Sequence, residues 1–117
     1  AMNTGHEGTW ATVHANAVTD IPARLVALGA LALMPEATIG AQVVAGVDAF
    51  VQICRVTERG RTRRYISEVG IPVWSHSRLS AQLALKVTPE GQLLRAPGWR
   101  ALSKLVNMDL TQFAEAV

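Results

Sequence analysis

Two histidines, His6 and His14, lie eight residues apart near the start of the sequence, and their setting could support chemistry. His6 follows Gly5 in a loop. His14 lies near the carboxyl end of a short apolar run, Thr9 to Ala15. This run predicts a strand covered on both faces in a parallel sheet. Ligands of open α/β sheets bind at the carboxyl ends of the strands, where a histidine can donate to a phosphate oxygen, orient a water or change its charge near neutral pH. The spacing alone is equally compatible with a histidine at the edge of a core.

A second candidate is a basic stretch between Arg55 and Arg64. It contains five arginines (55, 59, 61, 63 and 64) and one acid, Glu58, so its net charge is +4. Such a patch could bind nucleic acid, acidic lipid or a neighbouring subunit. It could equally be a solvated hairpin tip whose charges discourage edge pairing. Only Tyr65 is near enough to stack on a base, so we do not expect a nucleic-acid partner.

Other reactive side chains have simpler interpretations. Cys54 lies within an apolar strand, where a free cysteine is usually a small buried hydrophobe, and a nucleophile there would need His14 to meet it in space. His76 lies in a polar turn and could join the other two histidines on a metal. No carboxylate or cysteine cluster accompanies them, so we predict no metal site.

The sequence contains no phosphate-binding loop. Its two lysines, Lys86 and Lys104, follow Leu85 and Ser103, so G-x-x-x-x-G-K-[ST] cannot be written anywhere in the chain. Nor does it contain G-x-S-x-G, C-x-x-C or H-E-x-x-H. The chain by itself therefore lacks the usual means of binding Mg·ATP.

The elements that must position these residues follow from periodicity and turn chemistry. A helix is predicted from Ile21 to before Pro35, and a second from about Glu36 to Val47. Two hairpins follow, Asp48 to Val69 and Gln82 to Arg95, with turns at 58–61 and 88–91. A short helix, Trp99 to Val106, and a last helix capped by Asp109 complete the prediction.

Length and composition fit one α/β domain. The 117 residues are 50% hydrophobic and 17% charged, which excludes a disordered tail. A single cysteine excludes an internal disulfide and fits a reducing compartment. Pro35 and Glu36 divide the most apolar stretch into two uncharged runs, each too short to span a bilayer. The net charge of +2 does not by itself imply a polyanionic partner.

The stretch from Asn3 to Asn16, N-T-G-H-E-G-T-W-A-T-V-H-A-N, resembles the histidine box of secretion ATPases. Its closest form is that of the TadA/CpaF-like, VirB11-related ATPases of type II/IV secretion and tight-adherence (Flp) pilus systems. The resemblance continues to Gly70. It includes A-R-L-V-A-L from Ala23, D-A-F-V-Q-I from Asp48 and the return strand R-R-Y-I-S-E-V from Arg63.

This resemblance implies the C-terminal portion of a RecA-like P-loop NTPase domain. A partial parallel sheet with flanking helices would come first, with residues 1–70 forming the C-terminal half of the core. Residues 71–117 would add a hairpin and helices that match the family loosely. His6 and His14 would be the box histidines facing the γ-phosphate, Gly5 would let the loop turn, and Thr12 and Asn16 would line the end of the strand.

For the intact parent, the resemblance implies ATP and Mg²⁺ as cofactors and a homo-hexamer. That hexamer would lie at the cytoplasmic face of the inner membrane, against platform proteins, and would drive pilin assembly or protein export. The P-loop and acidic segments that precede the box in the family are absent here. We therefore expect a catalytically inactive fragment that exposes strand edges and self-associates.

Two alternatives stay open. The chain could be a stand-alone interaction module that binds a motor subunit or nucleic acid through the hairpin from Arg55 to Arg64. It could also be a small hydrolase built on Cys54 and His14.

Overall fold

The computed structural model describes residues 8–116. One turn of 3-10 helix, Val18–Asp20, leads directly into helix α1, Ile21–Leu31, and helix α2 follows over Glu36–Gly46. Five strands come next, with helix α3, Trp99–Val106, before the last of them. The strands are β1 Phe50–Glu58, β2 Arg61–Ser75, β3 Arg78–Val87, β4 Leu93–Arg95 and β5 Ala114–Glu115.

The strands form one mixed sheet in the order β1-β2-β3-β4-β5. The first three pairings are antiparallel, and only β4 and β5 run parallel. The α/β class is thus confirmed, and a mixed sheet flanked by helices is compatible with a partial RecA-like domain. The predicted bounds of the first two helices, both hairpin turns and α3 are confirmed within a few residues.

The core has two parts on opposite faces of the sheet. The 3-10 turn and helices α1 and α2 cover one face. Their buried residues pack with side chains from β1 and β3 (Val18, Ile21, Ile39, Val43, Phe50 and Leu79). Helix α3 and the C-terminal segment cover the other face, where Leu102 and Leu110 pack with Ala84. Adjacent residues of β2 point to opposite faces of the sheet. Gly70 contacts Val18 on the α1 and α2 face, whereas Val69 packs on the α3 face.

Two predicted elements are wrong. Residues 9–15 form no strand, and Trp10 among them is 83% exposed. A strand covered on both faces needs a neighbouring strand, and the five strands all come from residues 50–115. The C-terminal stretch beginning at Asp109 forms a turn and β5 instead of a helix, because the Asp109 carboxylate accepts bonds from Thr111 within the turn.

The corner between α1 and α2 is strongly apolar at its surface. Leu28, Leu31 and Leu33 are 55%, 83% and 92% exposed. This apolar corner is a surface through which the chain could self-associate. The self-association itself stays a prediction. No helix within residues 8–116 has both the length and the hydropathy to cross a bilayer.

Candidate functional site

The predicted box residues lie on the segment that precedes the first helical turn. Residues 9–15 carry Thr12 and His14, Asn16 follows them, and all three side chains are exposed. Gly5 and His6 lie outside the described residues. The segment lies at the surface without helix or strand structure and is not the buried strand that the sequence predicts, so His14 does not lie at the end of a sheet strand.

Two hydrogen bonds fix the end of this segment against the sheet. The Gln52 side-chain Nε2 donates to the Ala15 carbonyl oxygen at 3.0 Å. The backbone N–H of Val18 donates to Glu68 Oε2 at 2.9 Å, and Val18 is fully buried. His14 is therefore next to one anchored residue and four positions before another, while its own ring faces solvent.

Gln52 and Glu68 hold the end of this segment, and the sequence analysis missed both. They lie directly opposite each other on β1 and β2. The available signal was a polar residue inside an otherwise apolar strand, because such a side chain needs a hydrogen-bond partner when it is partly buried.

The Cys54 and His14 pair required by the hydrolase alternative is not brought together by any described contact. The Cys54 thiol contacts Ser67 Oγ at 3.0 Å. Ser67 is the unpaired residue of a bulge in β2 opposite Gln52 and Ile53, and its hydroxyl also donates to the Gln52 carbonyl oxygen at 3.3 Å. The cysteine is thus held in a structural contact between strands.

His76 lies at the turn between β2 and β3, where its Nδ1 is 2.8 Å from Ser75 Oγ. Within residues 8–116, no three side chains of histidine, cysteine, aspartate or glutamate gather closely enough to hold a metal ion. The residues of this chain also do not fit Mg·ATP on their own, since the chain has no glycine-rich loop with a lysine.

The hairpin of β1 and β2 carries the arginines on both faces of its outer half, hereafter the arginine hairpin (residues 55–64). Arg55 lies directly opposite Arg64, and Glu58 opposite Arg61, with a tight turn at Arg59 and Gly60 where both φ values are positive. Arg63 stacks over the Tyr65 ring at 5.4 Å and donates to the Pro89 carbonyl oxygen. The other four arginines take part in no ion pair of the described chain.

Comparison with known proteins gives two relatives in Mycobacterium tuberculosis. They are named "Putative conjugal transfer protein MT3759" (strain CDC 1551 / Oshkosh) and "Putative conjugal transfer protein Rv3659c" (strain ATCC 25618 / H37Rv). Each is 38% identical over 81 residues, which is 69% of this chain and 22% of the relative. The chain thus spans about a fifth of the length of the curated relatives it matches. No protein-family model matches the chain. No solved structure matches it either.

Proposed function

We propose that this chain is the C-terminal part of the motor domain of a secretion or pilus-assembly ATPase. The histidine box from Asn3 to Asn16 and the order of the motifs that follow it support this proposal. The two relatives support the wider context, since their names refer to conjugal transfer and most of their length lies outside the matched region.

The observation that carries the proposal is the position of His14. Its segment is anchored at Ala15 and Val18, yet its side chain is exposed, and no group of three metal-binding side chains gathers in the described chain. A catalytic histidine in such a position needs partners from outside the chain. A motor domain whose phosphate-binding loop lies elsewhere in a longer parent supplies them.

In the parent, ATP and Mg²⁺ would supply the transferable phosphoryl group and its charge neutralisation. His14 would donate a hydrogen bond where negative charge develops on phosphate oxygens, and Thr12 and Asn16 would add polar contacts beside it. The parent would act as a homo-hexamer at the inner membrane on the cytoplasmic side. There it would work with platform proteins on pilin or another exported protein.

The experiment compares ATP hydrolysis by the full-length parent with its His14→Ala variant. We expect kcat to fall by about tenfold or more, as for other donors aimed at developing charge. His76→Ala is the matched control, because this histidine is also exposed but lies at the β2–β3 turn, and it should leave kcat unchanged. Unfolding midpoints should match among the three proteins. An unchanged kcat in His14→Ala would overturn the assignment of this residue.

A stand-alone interaction module is the second candidate. Arg55 and Arg64 favour it, since they lie opposite each other and neither forms an ion pair within residues 8–116. Nucleic-acid binding through these arginines would give a steep dependence of affinity on salt concentration. Protein binding through an apolar surface would give a shallow one. Measuring affinity between about 50 and 200 mM salt separates the two partner classes.

A further inference from the structure

The outer half of β1 is an open strand edge. Among residues 8–116, β1 pairs only with β2. The N-terminal segment bonds the start of the strand, where Gln52 Nε2 donates to the Ala15 carbonyl oxygen. From Cys54 to Glu58 no other strand of the described chain lies on the outer side. An edge of this kind is a template for an added extended segment.

The side chains beside this edge combine positive charge with apolar surface. Arg55 and Arg64 lie opposite each other on the face that α3 covers elsewhere. They are flanked by the opposed pair Ile53 and Ile66, which are 58% and 49% exposed. The next pair on the same face toward the turn is Thr57 and Thr62, whose hydroxyls contact each other at 2.9 Å.

The paired arginines oppose hairpin formation. Like charges directly opposite on neighbouring strands are destabilising, and the ion pair that the described chain contains joins Arg95 to Glu115 instead. The repulsion between Arg55 and Arg64 would be relieved by a carboxylate placed between or beside them. The chemistry of this surface therefore selects an anionic occupant.

Charge also argues against a second copy of this chain. Pairing two β1 edges would bring two hairpins, each with five arginines and one glutamate, alongside each other. A nucleic acid fits the arginines but not the exposed isoleucines. The aromatic ring of the hairpin, Tyr65, is on the other face under Arg63.

We propose that the open edge of β1, Ile53 to Glu58, binds an extended acidic segment of a partner protein. The segment adds as a further strand. It sets an aliphatic side chain beside Ile53 and a carboxylate beside Arg55. Main-chain bonds provide affinity, and the alternating side chains provide selectivity.

The test uses the 117-residue chain and a fluorescein-labelled peptide of about ten residues, a length typical of one strand. Valine and glutamate take every second position of the peptide in turn, with threonine between them, so that both kinds of side chain lie on the face that meets Ile53 and Arg55. Fluorescence anisotropy should show saturable binding. Arg55→Glu should weaken it about tenfold or more, because one attraction becomes a repulsion. This variant turns the Arg55–Arg64 repulsion into an attraction, so unfolding of the hairpin cannot explain the loss.

Arg24→Glu is the matched control. It makes the same change in net charge at an exposed position on α1 and should leave affinity within about twofold. The same peptide with alternate N-methylated backbone amides keeps its charges but cannot pair as a strand, and it should bind about tenfold more weakly.

Four outcomes would overturn the proposal. The first is that binding does not saturate up to about 1 mM peptide. The second is that the N-methylated peptide binds as tightly as the unmodified one. The last two are that single-stranded DNA of matched charge, or phosphatidylcholine/phosphatidylglycerol vesicles, bind more tightly than the unmodified peptide. None of these measurements involves nucleotide hydrolysis, so each result is independent of the proposed function.

Discussion

The Glu68 carboxylate accepts the backbone N–H of Val18 at 2.9 Å, and this bond joins the end of the N-terminal segment to the longest strand of the sheet. Val18 is fully buried between α1 and β2. The bond therefore satisfies a donor that has no access to water, and it determines where the segment with His14 leaves the protein surface.

Replacing Glu68 with alanine should lower the free energy of unfolding by about 1–3 kcal/mol, because the buried Val18 N–H loses its acceptor. Glu68→Gln keeps an oxygen acceptor at the same place and should retain most of the stability. Urea unfolding of both variants measures the difference. Equal stability of Glu68→Ala and the unchanged chain would show that this bond does not anchor the segment.

Gly40 lies in α2 directly against the Trp74 ring. A Cβ added at Gly40 would overlap the Cζ3 and Cε3 atoms of the Trp74 ring, so Gly40→Ala should destabilise the fold by about 1–3 kcal/mol. In the absence of this contact the same change would stabilise the helix by about 1 kcal/mol, because alanine is the better helix former. The direction in which Gly40→Ala shifts the midpoint of thermal unfolding thus tests this packing. In a chain that also carries Trp74→Ala, Gly40→Ala should raise the midpoint.

The Arg95 side chain makes two contacts with the C-terminal segment and one with helix α3. Its Nε donates to the Phe113 carbonyl oxygen at 2.7 Å, its Nη2 is 3.5 Å from Glu115, and its guanidinium stacks over Trp99 at 4.8 Å. Glu115 is largely exposed, so the ion pair contributes little and the bond and the stacking dominate.

Arg95→Ala should therefore release β5 while leaving the rest of the sheet folded. Hydrogen exchange at the Ala116 amide, which donates to the Arg95 carbonyl oxygen, should accelerate about tenfold, and Arg95→Lys should restore only part of the protection. Arg100→Ala is the control, since Arg100 also lies over Trp99 but makes no described bond to the C-terminal segment. Unchanged exchange in Arg95→Ala would contradict this account.

Asp109 forms the turn that replaces the predicted C-terminal helix. The Thr111 hydroxyl and then the Thr111 backbone N–H, at 2.6 and 2.9 Å, lower the pKa of the Asp109 carboxyl below its usual value of 3.8. A carboxyl with a lowered folded pKa stabilises the fold above its unfolded pKa, and this contribution is lost as pH falls through the folded value.

The turn should therefore loosen below about pH 4, as the carboxylate takes up a proton. The Thr111 amide shift in nuclear magnetic resonance spectra should titrate with a midpoint below 3.8. Asp109→Asn keeps an acceptor but cannot titrate, so its Thr111 amide shift should stay constant over this range. A midpoint at or above the usual value would show that the two bonds do not hold the turn.

The elements that the sequence predicted well are those with strong local signals. Pro22 and Pro35 mark the starts of α1 and α2, and Arg59 with Gly60 forms the hairpin turn. The polar turn at His76 was predicted, but not that it joins two paired strands, because His76 and Ser77 adopt positive φ without glycine or asparagine. The sequence analysis ended the return strand at Val69. It therefore missed that β2 continues to Ser75, where the turn to β3 begins.

The candidate site was less predictable because its surroundings depend on distant parts of the chain. The apolar run before Ala15 has the composition of a buried strand, but burial requires neighbours that the described chain does not place beside it. Similarly, the D-x-x-Q pattern formed by Asp109 and Gln112 is typical of the start of a helix. Burial of Leu110 and the parallel pairing of β5 with β4 outweigh it.

The central claim is that this chain is part of a longer motor ATPase, and the coding sequence upstream of Ala1 tests it most directly. We predict an in-frame G-x-x-x-x-G-K-[ST] there, followed by an apolar strand that ends in acidic residues. A stop codon and a ribosome-binding site directly before Ala1 would contradict it, and the chain would then act as an interaction module without a nucleotide site.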